Sequence, residues 1–404
     1  MTGAPLLLDV TRSVQRLRHA TPSGIDRVER AYLDHALARG AALLCRVGAR
    51  QHLIAPGQAA GLAAALDAPG EGGLDLAGLL APGRDRAVRG AEAAVRRLSA
   101  GASGRRGLAA LLRAHLAPGA VALNVGHDNL APENMAALRA AGLRPVVLLH
   151  DTIPLDWPEF ARPATPAQFR VKLAAMAGAV HLVFTTRAAE RAARACAARE
   201  GLALPGGTVI PLGVTTPPPA AAAGTGGFVC LGTIEGRKNH LLLLTIWRRF
   251  WETRTPEATP PLHIVGRRGW EAGQAIAMLD RAPMMGRTVF EHADLPDPAV
   301  ARLLAGARAL LFPSLAEGFG LPLAEALAAG VPVIAADLPA LREVGGDVPD
   351  WLDPLDGPGW MAAIEAYAAE PSARRAAQIA RLAGWRRPTW AAHFAALEGV
   401  LAGL

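Results

Sequence analysis

The segment EGFGLPLAEALAAG, from Glu317 to Gly330, decides the fold of its half of the chain. It lies between two apolar runs, LLFPS and VPVIAA, which are typical of buried strands. Gly318 and Gly320 allow positive φ and a close approach of the backbone to a neighbour. Pro322 suits the first turn of a helix, and Gly330 suits its end. The pattern predicts a strand, a turn, a short helix and a second strand.

The turn places carboxylates beside a helix N-terminus. Free N–H groups and the helix dipole make that end a site for phosphate. Ser314 and Glu317 follow the first strand into a crevice, and Glu325 lies one turn into the helix. Because carboxylates repel phosphate, we expect Glu317 and Glu325 to accept hydrogen bonds from hydroxyl pairs, such as a ribose diol or a sugar ring. The alternative is that Glu317 caps the helix and Glu325 is a solvated surface residue.

A second strand, turn and helix pattern occupies residues 228–250, FVCLGTIEGRKNHLLLLTIWRRF. Arg237 and Lys238 stand just before the helix, where each cation opposes the dipole by a few tenths to about 1 kcal/mol. A diphosphate held bidentately by the arginine and by the point charge of the lysine would offset that cost. Asn239 is predicted to be the N-cap residue of this helix. The alternative is a basic turn at the surface.

The N-terminal half offers weaker candidates. Gly24 precedes a helix pattern and either underlies a phosphate or acceptor group or simply forms a helix entry. His150 and Asp151 follow the apolar run PVVLLH, and His127 follows VALNV. All three are expected at the carboxyl ends of strands, where ligands of α/β sheets bind. Each histidine has the alternative of being a hydrogen-bonded structural group.

Short apolar runs alternate with helix patterns along both halves, which predicts an α/β protein with parallel sheets. Strands are expected at 6–10, 43–47, 121–125, 145–150, 180–186, 208–213, 228–232, 261–266, 288–292, 307–314 and 331–336. We expect two doubly wound, Rossmann-like domains that face a central cleft. Their predicted bounds are 1–214 for the acceptor-side domain, 215–227 for a Pro-rich linker, 228–385 for the donor domain and 386–404 for a helix that crosses back.

The composition sets limits on the class of protein. A chain of 404 residues exceeds one ordinary core. The net charge is +7, and Lys172 and Lys238 are its only lysines. No apolar run reaches the roughly 18 residues that span a bilayer, and MTGAPLLLDV lacks the basic start of a signal peptide. Three scattered cysteines, Cys45, Cys196 and Cys230, predict small buried residues in a reduced, cytoplasmic protein.

The most basic segment is 84–116, which carries a net charge of +6. Its arginines are interleaved with apolar residues at partly helical spacing. One interpretation is an exposed helical hairpin made of 84–98 and 107–116. The other is peripheral contact of residues 84–113 with an anionic inner membrane surface.

Together these segments resemble the family 4, or group 1, glycosyltransferases of GT-B fold. The two-glutamate segment with GFGLPLAE matches that family's most specific motif, and LGTIEGRKNH closely resembles the family segment GTIEPRKN. HDTIP and SGIDR resemble two further motifs, so the resemblance covers nearly the whole chain. Gly236 departs from the family, which often has proline there. The resemblance implies retaining, metal-independent transfer from a nucleotide sugar, with no cofactor.

The resemblance also implies roles for particular residues. The catalytic set is Arg237, Lys238, Glu317 and His150. The donor-binding set is Gly232, Thr233, Gly266, Ser314, Gly318, Phe319, Gly320, Leu321 and Glu325. The acceptor or phosphate loop set is Gly24, Ile25, His127 and Asp151. Similar segments are frequent in mannosyltransferases of bacterial surface polysaccharides, so GDP-mannose is the expected donor and a glycan or lipid-linked molecule the acceptor.

Other functions stay open at this point. A UDP- or dTDP-sugar transferase would carry the same motifs, and a sugar-nucleotide epimerase or phosphorylase would share the architecture. A non-enzymatic protein that binds nucleic acid or a membrane surface is the alternative of another class. Against nucleic acid, the stretch 84–113 contains no aromatic residue for stacking on bases.

Overall fold

The structure, a computed structural model, describes residues 4–18, 22–69, 73–81, 83, 85–215 and 226–404. The first half forms an eight-stranded sheet in the order β4-β3-β2-β1-β5-β6-β7-β8. Its strands are β1 (Leu6–Asp9), β2 (Ala42–Val47), β3 (Arg50–Ile54), β4 (Gly101–Ser103), β5 (Val121–Asn124), β6 (Arg144–Leu149), β7 (His181–Phe184) and β8 (Gly207–Val209). The six predicted strands are present, although the last is half as long as expected.

The first sheet is mixed, which corrects the expectation of parallel strands alone. β3 pairs antiparallel with β2, and β4 pairs antiparallel with β3, whereas the other neighbours are parallel. A two-residue connection joins β2 to β3, and only antiparallel neighbours can be joined so tightly. The sheet therefore grows by a hairpin edge on the side away from β8.

The second half forms a six-stranded parallel sheet in the order β11-β10-β9-β12-β13-β14. Its strands are β9 (Phe228–Leu231), β10 (Leu262–Val265), β11 (Val289–His292), β12 (Ala309–Phe312), β13 (Val333–Ala336) and β14 (Asp350–Leu352). The sequence predicted the first five. The strand order reverses between β9 and β12, which is the position where doubly wound sheets bind ligands.

Helices cover both faces of each sheet. In the first half they are α1 (Thr11–Arg16), α2 (Gly24–Ala38), α3 (Pro56–Asp67), α4 (Leu76–Leu79), α5 (Arg86–Leu98), α6 (Leu108–His115), α7 (Pro132–Ala140), α8 (Ile153–Asp156), α9 (Thr165–Ala177) and α10 (Arg187–Arg199). In the second half they are α11 (His240–Thr253), α12 (Gly273–Arg281), α13 (Asp297–Ala305), α14 (Leu321–Ala328), α15 (Pro339–Gly345), α16 (Gly357–Ala368), α17 (Ala373–Leu382) and α18 (Trp390–Ala402). Short 3-10 turns include Arg105–Gly107, Pro158–Phe160, Gly236–Lys238 and Pro256–Ala258. No helix among the described residues is long and apolar enough to cross a bilayer.

Each sheet has an apolar core on either face. Leu6 and Leu8 of β1 pack with α2, α3 and α5, whereas Leu7 packs with α6, α7 and α9 on the opposite face. This alternation follows from the period of two along a strand. The second sheet is divided in the same way. Cys45, Cys196 and Cys230 are buried and free, as predicted.

The predicted helical hairpin of residues 84–116 is not formed. Ala91 and Val95 of α5 belong to one core of the first sheet, and Leu108 and Leu112 of α6 belong to the other. β4 connects the two helices at the edge of the sheet. The basic segment is therefore divided between two faces of the first domain. Arg84, at its start, lies outside the described residues.

The C-terminal helix α18 packs on the first domain. Its Leu397 and Leu401 belong to the same core as β1 and α2. Where the chain leaves the first domain, the N–H of Val214 donates to Pro388 O at 3.0 Å, and a Cβ at Gly213 would lie 2.3 Å from the Trp390 nitrogen. The outgoing and returning segments are thus in direct contact. Most of the predicted linker, residues 216–225, lies outside the described residues.

His393 fixes α18 to α2 through a buried hydrogen-bond chain. Its Nδ1 lies 2.8 Å from Pro211 O, and its Nε2 lies 2.8 Å from the Tyr32 hydroxyl. Because a carbonyl only accepts, Nδ1 carries the proton and Nε2 accepts from Tyr32. Burial lowers the pKa of His393 to about 4, so the imidazole is neutral at pH 7.

Tyr32→Phe is expected to lower the free energy of unfolding by about 1–3 kcal/mol, because Nε2 of His393 then lacks its buried donor. Urea denaturation followed by circular dichroism measures the change. His115→Ala, on the exposed surface of α6, is the control and should be nearly neutral. A double-mutant cycle with His393→Ala should show coupling between the two side chains, and additive losses would contradict the hydrogen bond.

Candidate functional site

The carboxyl ends of the two sheets meet at the loop that follows β12. A Cβ placed on Gly318 would lie 2.3 Å from His150 O and 2.9 Å from the Asp151 Cβ, so only glycine fits there. Gly318 O accepts hydrogen bonds from the hydroxyls of Thr185, at 3.2 Å, and Thr186, at 3.0 Å. The loop of the second domain is therefore seated directly on the ends of β6 and β7.

Apolar residues around this loop continue the contact. Phe319 and Ala324 belong to a core of the first domain, and a Cβ on Gly24 would lie 3.2 Å from Leu321 Cδ1. The side chains of Phe319 and Leu321 thus join the domains, while their backbone N–H groups lie at the start of α14. The N-cap of α14 is Gly320, in the left-handed region at φ 87°, without a side-chain cap. The alternative that Glu317 caps this helix is wrong.

The cations predicted to hold a diphosphate meet the first of the two glutamates. Lys238 Nζ forms an ion pair with Glu317 Oε1. Arg237 Nη1 lies 3.2 Å from Glu317 Oε2, and its Nη2 lies 2.7 Å from Glu235 Oε1. All four side chains are largely buried. Two cations and two carboxylates therefore form one cluster at the carboxyl ends of β9 and β12, and the alternative of a basic turn at the surface is wrong.

The pKa values reflect burial opposed by ion pairing. Burial would raise the pKa of Glu317, but Lys238 and Arg237 bring it below its ordinary value. Burial lowers the pKa of Lys238 although Glu317 opposes the shift. For Arg237, the charges of Glu317 and Glu235 outweigh burial and raise the pKa. Asp151, across the domain boundary, has a pKa raised by burial although Arg237 opposes it.

Two glycines shape the floor beneath Lys238. A Cβ on Gly232 would lie 3.5 Å from Lys238 Cε, and Lys238 Nζ lies 4.9 Å from the centre of the Phe312 ring. Gly266 has φ 157°, and a Cβ there would lie 1.9 Å from Gly232 O. The ends of β9 and β10 therefore approach more closely than any other residue would permit.

The other donor-side candidates differ in accessibility. Thr233 is half-buried, and its methyl group would lie 2.6 Å from a Cβ on Gly269. Ser314 is fully buried behind the loop. Asn239 occupies the N-cap position of α11 at φ 56°, but its amide donates to Pro313 O at 3.3 Å and Pro354 O at 3.0 Å. Asn239 is therefore the N-cap residue, as predicted, but its side chain bonds two loops and does not cap the helix.

Glu325 is paired with the first domain. Its Oε1 lies 2.5 Å from Arg27 Nη1, and burial raises its pKa although Arg27 opposes the shift. Glu325 is therefore not the solvated surface residue of the alternative interpretation. Arg27 follows Gly24 and Ile25 in α2, whose N-cap Ser23 forms a capping box with Asp26. Gly24 thus stands at a regular helix entry that faces α14.

His127 and His150 are buried side by side, with ring centres 5.1 Å apart. Nε2 of His127 lies 2.7 Å from Leu148 O, and Nε2 of His150 lies 2.8 Å from Val125 O. Each Nε2 therefore carries the proton, and each Nδ1 is left as an acceptor. Burial lowers the pKa of His150 to about 4 and that of His127 well below its ordinary value. Both rings are neutral at pH 7.

Sequence analysis missed two buried carboxyl groups of the first domain, Glu29 and Asp9. Glu29 Oε1 accepts from the N–H and hydroxyl of Ser13, whereas Oε2 has no hydrogen-bond partner among the described residues. Burial raises the pKa of Glu29 to about 8 and that of Asp9 to about 6. Glu29 lies one helical turn beyond Ile25 and would be read from sequence as an exposed residue of an amphipathic helix.

Further polar contacts hold the domains together, and sequence analysis missed these as well. Glu343 of α15 accepts from the N–H groups of Arg187 and Ala188, both at 2.7 Å, at the start of α10. Trp270 Nε1 donates to Phe160 O at 2.9 Å. Within the described ranges, no three His, Cys, Asp or Glu side chains are grouped as a metal site would require.

Residues 225–369 match the family described as glycosyl transferases group 1. The serotype-specific mannosyltransferase WbdA of Escherichia coli is 36% identical over 125 residues, which are 31% of this chain and 15% of that protein. The O-antigen chain mannosyltransferase B of Escherichia coli is 35% identical over 161 residues, 40% of this chain and 41% of that protein. The chain thus spans less than half the length of these curated relatives.

A solved structure, described as trehalose-6-phosphate from Escherichia coli bound with UDP-2-fluoro glucose, matches over 99% of both chains with a TM-score of 0.60 and 13% identity. This likeness confirms the GT-B fold, two α/β domains that face each other across the ends of their sheets.

Glu29→Gln is expected to remove part of the pH dependence of stability. The folded protein binds a proton at Glu29 up to about pH 8, whereas the unfolded chain releases it near pH 4.5. The stability from this group is therefore complete at low pH and is lost as the pH rises through 8. Urea unfolding at pH 5, 7 and 9 should show that the free energy of unfolding of the variant increases relative to that of the wild type as the pH rises. Glu133→Gln, half-exposed on α7, should follow the wild type, and parallel curves for Glu29→Gln would contradict the assignment.

Proposed function

Because the chain belongs to the group 1 glycosyltransferases of GT-B fold, we propose that it moves mannose from GDP-mannose to a glycan or lipid-linked acceptor, with retention of the anomeric configuration. The mannosyltransferases of Escherichia coli with which it shares sequence support mannose as the sugar and a place in the synthesis of a bacterial surface polysaccharide. The observation that carries the proposal is the meeting of Arg237, Lys238 and Glu317 beside the N-terminus of α14.

The cation pair is suited to the diphosphate of the donor. An ammonium group has three N–H donors, and the ion pair with Glu317 engages one of them. Lys238 can therefore hold Glu317 and a phosphate oxygen together, and the guanidinium of Arg237 is fixed in orientation by Glu235 and Glu317. The N–H groups at the start of α14 add a partial positive charge.

These groups act on the charge that develops as the sugar leaves. Breaking the glycosidic bond places negative charge on the departing diphosphate and positive charge on the sugar. Fixed cations in a buried site stabilise that diphosphate without reorganising. The negative charge of Glu317 lies between the two cations and offsets their repulsion. Its carboxylate also presents oxygen atoms to the sugar.

Glu325 and His150 are assigned to hydroxyl groups. A carboxylate has about four lone-pair directions, so Glu325 can accept from the ribose diol while it remains paired with Arg27. Nδ1 of the neutral His150 ring can accept from a sugar hydroxyl, because Nε2 donates to Val125 O. The first domain is assigned to the acceptor, with Gly24, Ile25, His127 and Asp151 as the residues of that side.

Thermal-shift measurements with GDP-mannose, GDP, UDP-glucose and dTDP-glucose test the donor. We expect stabilisation by GDP and GDP-mannose only, since the proposed donor carries a guanine nucleotide and mannose. In the transfer reaction, the anomeric carbon–hydrogen coupling of the product should be that of an α-mannoside. A shift with UDP- or dTDP-glucose instead would replace the donor, and recovery of an epimerised donor without acceptor would contradict transfer.

Lys238→Met is expected to lower kcat about 100-fold or more, because a charge that stabilises the departing diphosphate is lost. Steady-state release of GDP measures the change, and circular dichroism verifies the fold. Arg248→Met removes an exposed cation about two turns into α11 and is the matched control, with activity expected to match the wild type. Full activity of Lys238→Met would remove the phosphate assignment.

A further inference from the structure

Helix α4 and its C-cap residue carry three large apolar side chains on the surface of the first domain. Leu76 is 72% exposed, Leu79 is 60% exposed and Leu80 is 75% exposed. The spacing of three and four residues places them on one side of a helical turn. They are three of the eight large hydrophobic residues found exposed in the described part of the chain. Single exposed leucines are ordinary, but such a cluster marks an interaction surface. We call it the leucine cluster.

The leucine cluster is held in place by α5. Arg96 Nη2 donates to Asp75 Oδ1 at 2.7 Å, and Asp75 also accepts from the N–H of Gly78 at the start of α4. Arg89 Nη1 donates to Gly78 O at 2.9 Å. These contacts fix both ends of the short helix to its neighbour. The leucines are therefore presented outward by the fold, because the polar atoms of α4 face α5.

The helix that supports the leucine cluster has a face made of arginine. At 100° per residue, Arg86, Arg89, Arg96 and Arg97 fall within a sector of about 100°. On the opposite side, Ala91, Ala94 and Val95 are buried in a core of the first sheet, so α5 has no freedom to turn its arginines inward. We call this sector the arginine stripe. It lies beside the leucine cluster because Arg89 and Arg96 belong to it.

The arrangement combines the two features that an anionic bilayer recognises. Apolar side chains enter the boundary between headgroups and acyl chains, and arginines bind lipid phosphates in the headgroup layer. Within the arginine stripe, Arg86 and Arg97 are exposed and supply these contacts, whereas Arg89 and Arg96 are partly buried against α4. Residues 75–98 contain no aromatic residue, which disfavours single-stranded nucleic acid as the partner. The three later arginines, Arg105, Arg106 and Arg113, come after β4 in the chain. They accompany α6, which packs on the opposite face of the first sheet, so they are not part of this surface.

We propose that the leucine cluster and the arginine stripe together form a surface that binds the anionic membrane reversibly. The surface is built from α4 and α5 of the first domain and involves no residue of the candidate transfer site. The proposal does not depend on the donor or on the sugar. Of the basic segment 84–113, only α5 belongs to this surface. The other part of the surface is α4, which contains no basic residue.

Sedimentation of the full chain with vesicles tests the proposal. Vesicles of phosphatidylcholine with 30% phosphatidylglycerol should bind the protein, and those of phosphatidylcholine alone should bind it at least ~10-fold more weakly, since each basic residue near an anionic surface contributes a factor of several. Raising the salt concentration should weaken the binding to phosphatidylglycerol. Equal binding to both kinds of vesicle, or binding to neither, would overturn the proposal.

Two sets of variants separate the apolar and the charged contributions. Replacing all three leucines by serine, as Leu76→Ser, Leu79→Ser and Leu80→Ser, should lower the partition coefficient at least ~10-fold without any change in net charge. Leu355→Ser, on the second domain at 80% exposure, is the matched control and should bind as the wild type does. Arg86→Gln with Arg97→Gln should lower both binding and its salt dependence, whereas Arg191→Gln with Arg248→Gln should not.

Lipid-free light scattering addresses a protein partner instead. If the wild type is a dimer that the triple serine variant converts to a monomer, while vesicle binding is equal for both, the cluster is an interface between copies and the proposal fails. In the absence of lipid, the triple variant and the wild type should have the same rate of GDP release in the transfer reaction and the same thermal unfolding midpoint. This readout separates the membrane surface from the proposed transfer reaction.

Discussion

The carboxylate of Glu317 is shared by two buried cations, and the candidate site depends on that sharing. Removing a charge from water is costly, so Lys238 and Arg237 remain ionised side by side only because opposite charges contact them. Glu235 supplies the second negative charge. The loop that carries Glu317 is in turn set by Gly318, which packs on His150 O. A contact between the domains therefore determines where the charges of the donor side lie.

Five of the six strands of the second domain are predictable from sequence, because β9, β12 and β13 are continuous apolar runs and β10 and β11 begin with apolar residues. The sixth, β14, is only Asp350–Leu352 and has no apolar run. The same logic fails for β3 and β4. The run RQHLI begins with polar residues, and β4 is only Gly101–Ser103, so neither carries a burial signal. β3 forms because it completes the hydrogen bonds of β2, and β4 forms because it pairs with β3 in turn. Backbone pairing, rather than hydrophobic pattern, forms these strands.

The gathering of the site is predictable to a similar extent. Arg237, Lys238 and Glu317 meet because the carboxyl ends of the neighbouring strands β9 and β12 must lie together. The ion pairs among these three residues are not predictable, because the positions of charged residues in a sequence do not show which opposite charges they contact. The contacts of Arg27 with Glu325, and of Glu343 with α10, join residues of different domains. Such pairs depend on the relative position of two sheets, which no local pattern encodes.

The chain passes between the domains twice, once after Val214 and again before Trp390, and these two passages touch. Two adjacent connections act as a hinge. They permit rotation of one domain relative to the other about a line through their contact, and they resist sliding or twisting. The polar contacts of Glu343, Trp270 and Arg27 lie elsewhere on the interface, and they must break before the domains can rotate apart. Opening for donor entry would then be a single angular movement, widest at the edge farthest from Gly213.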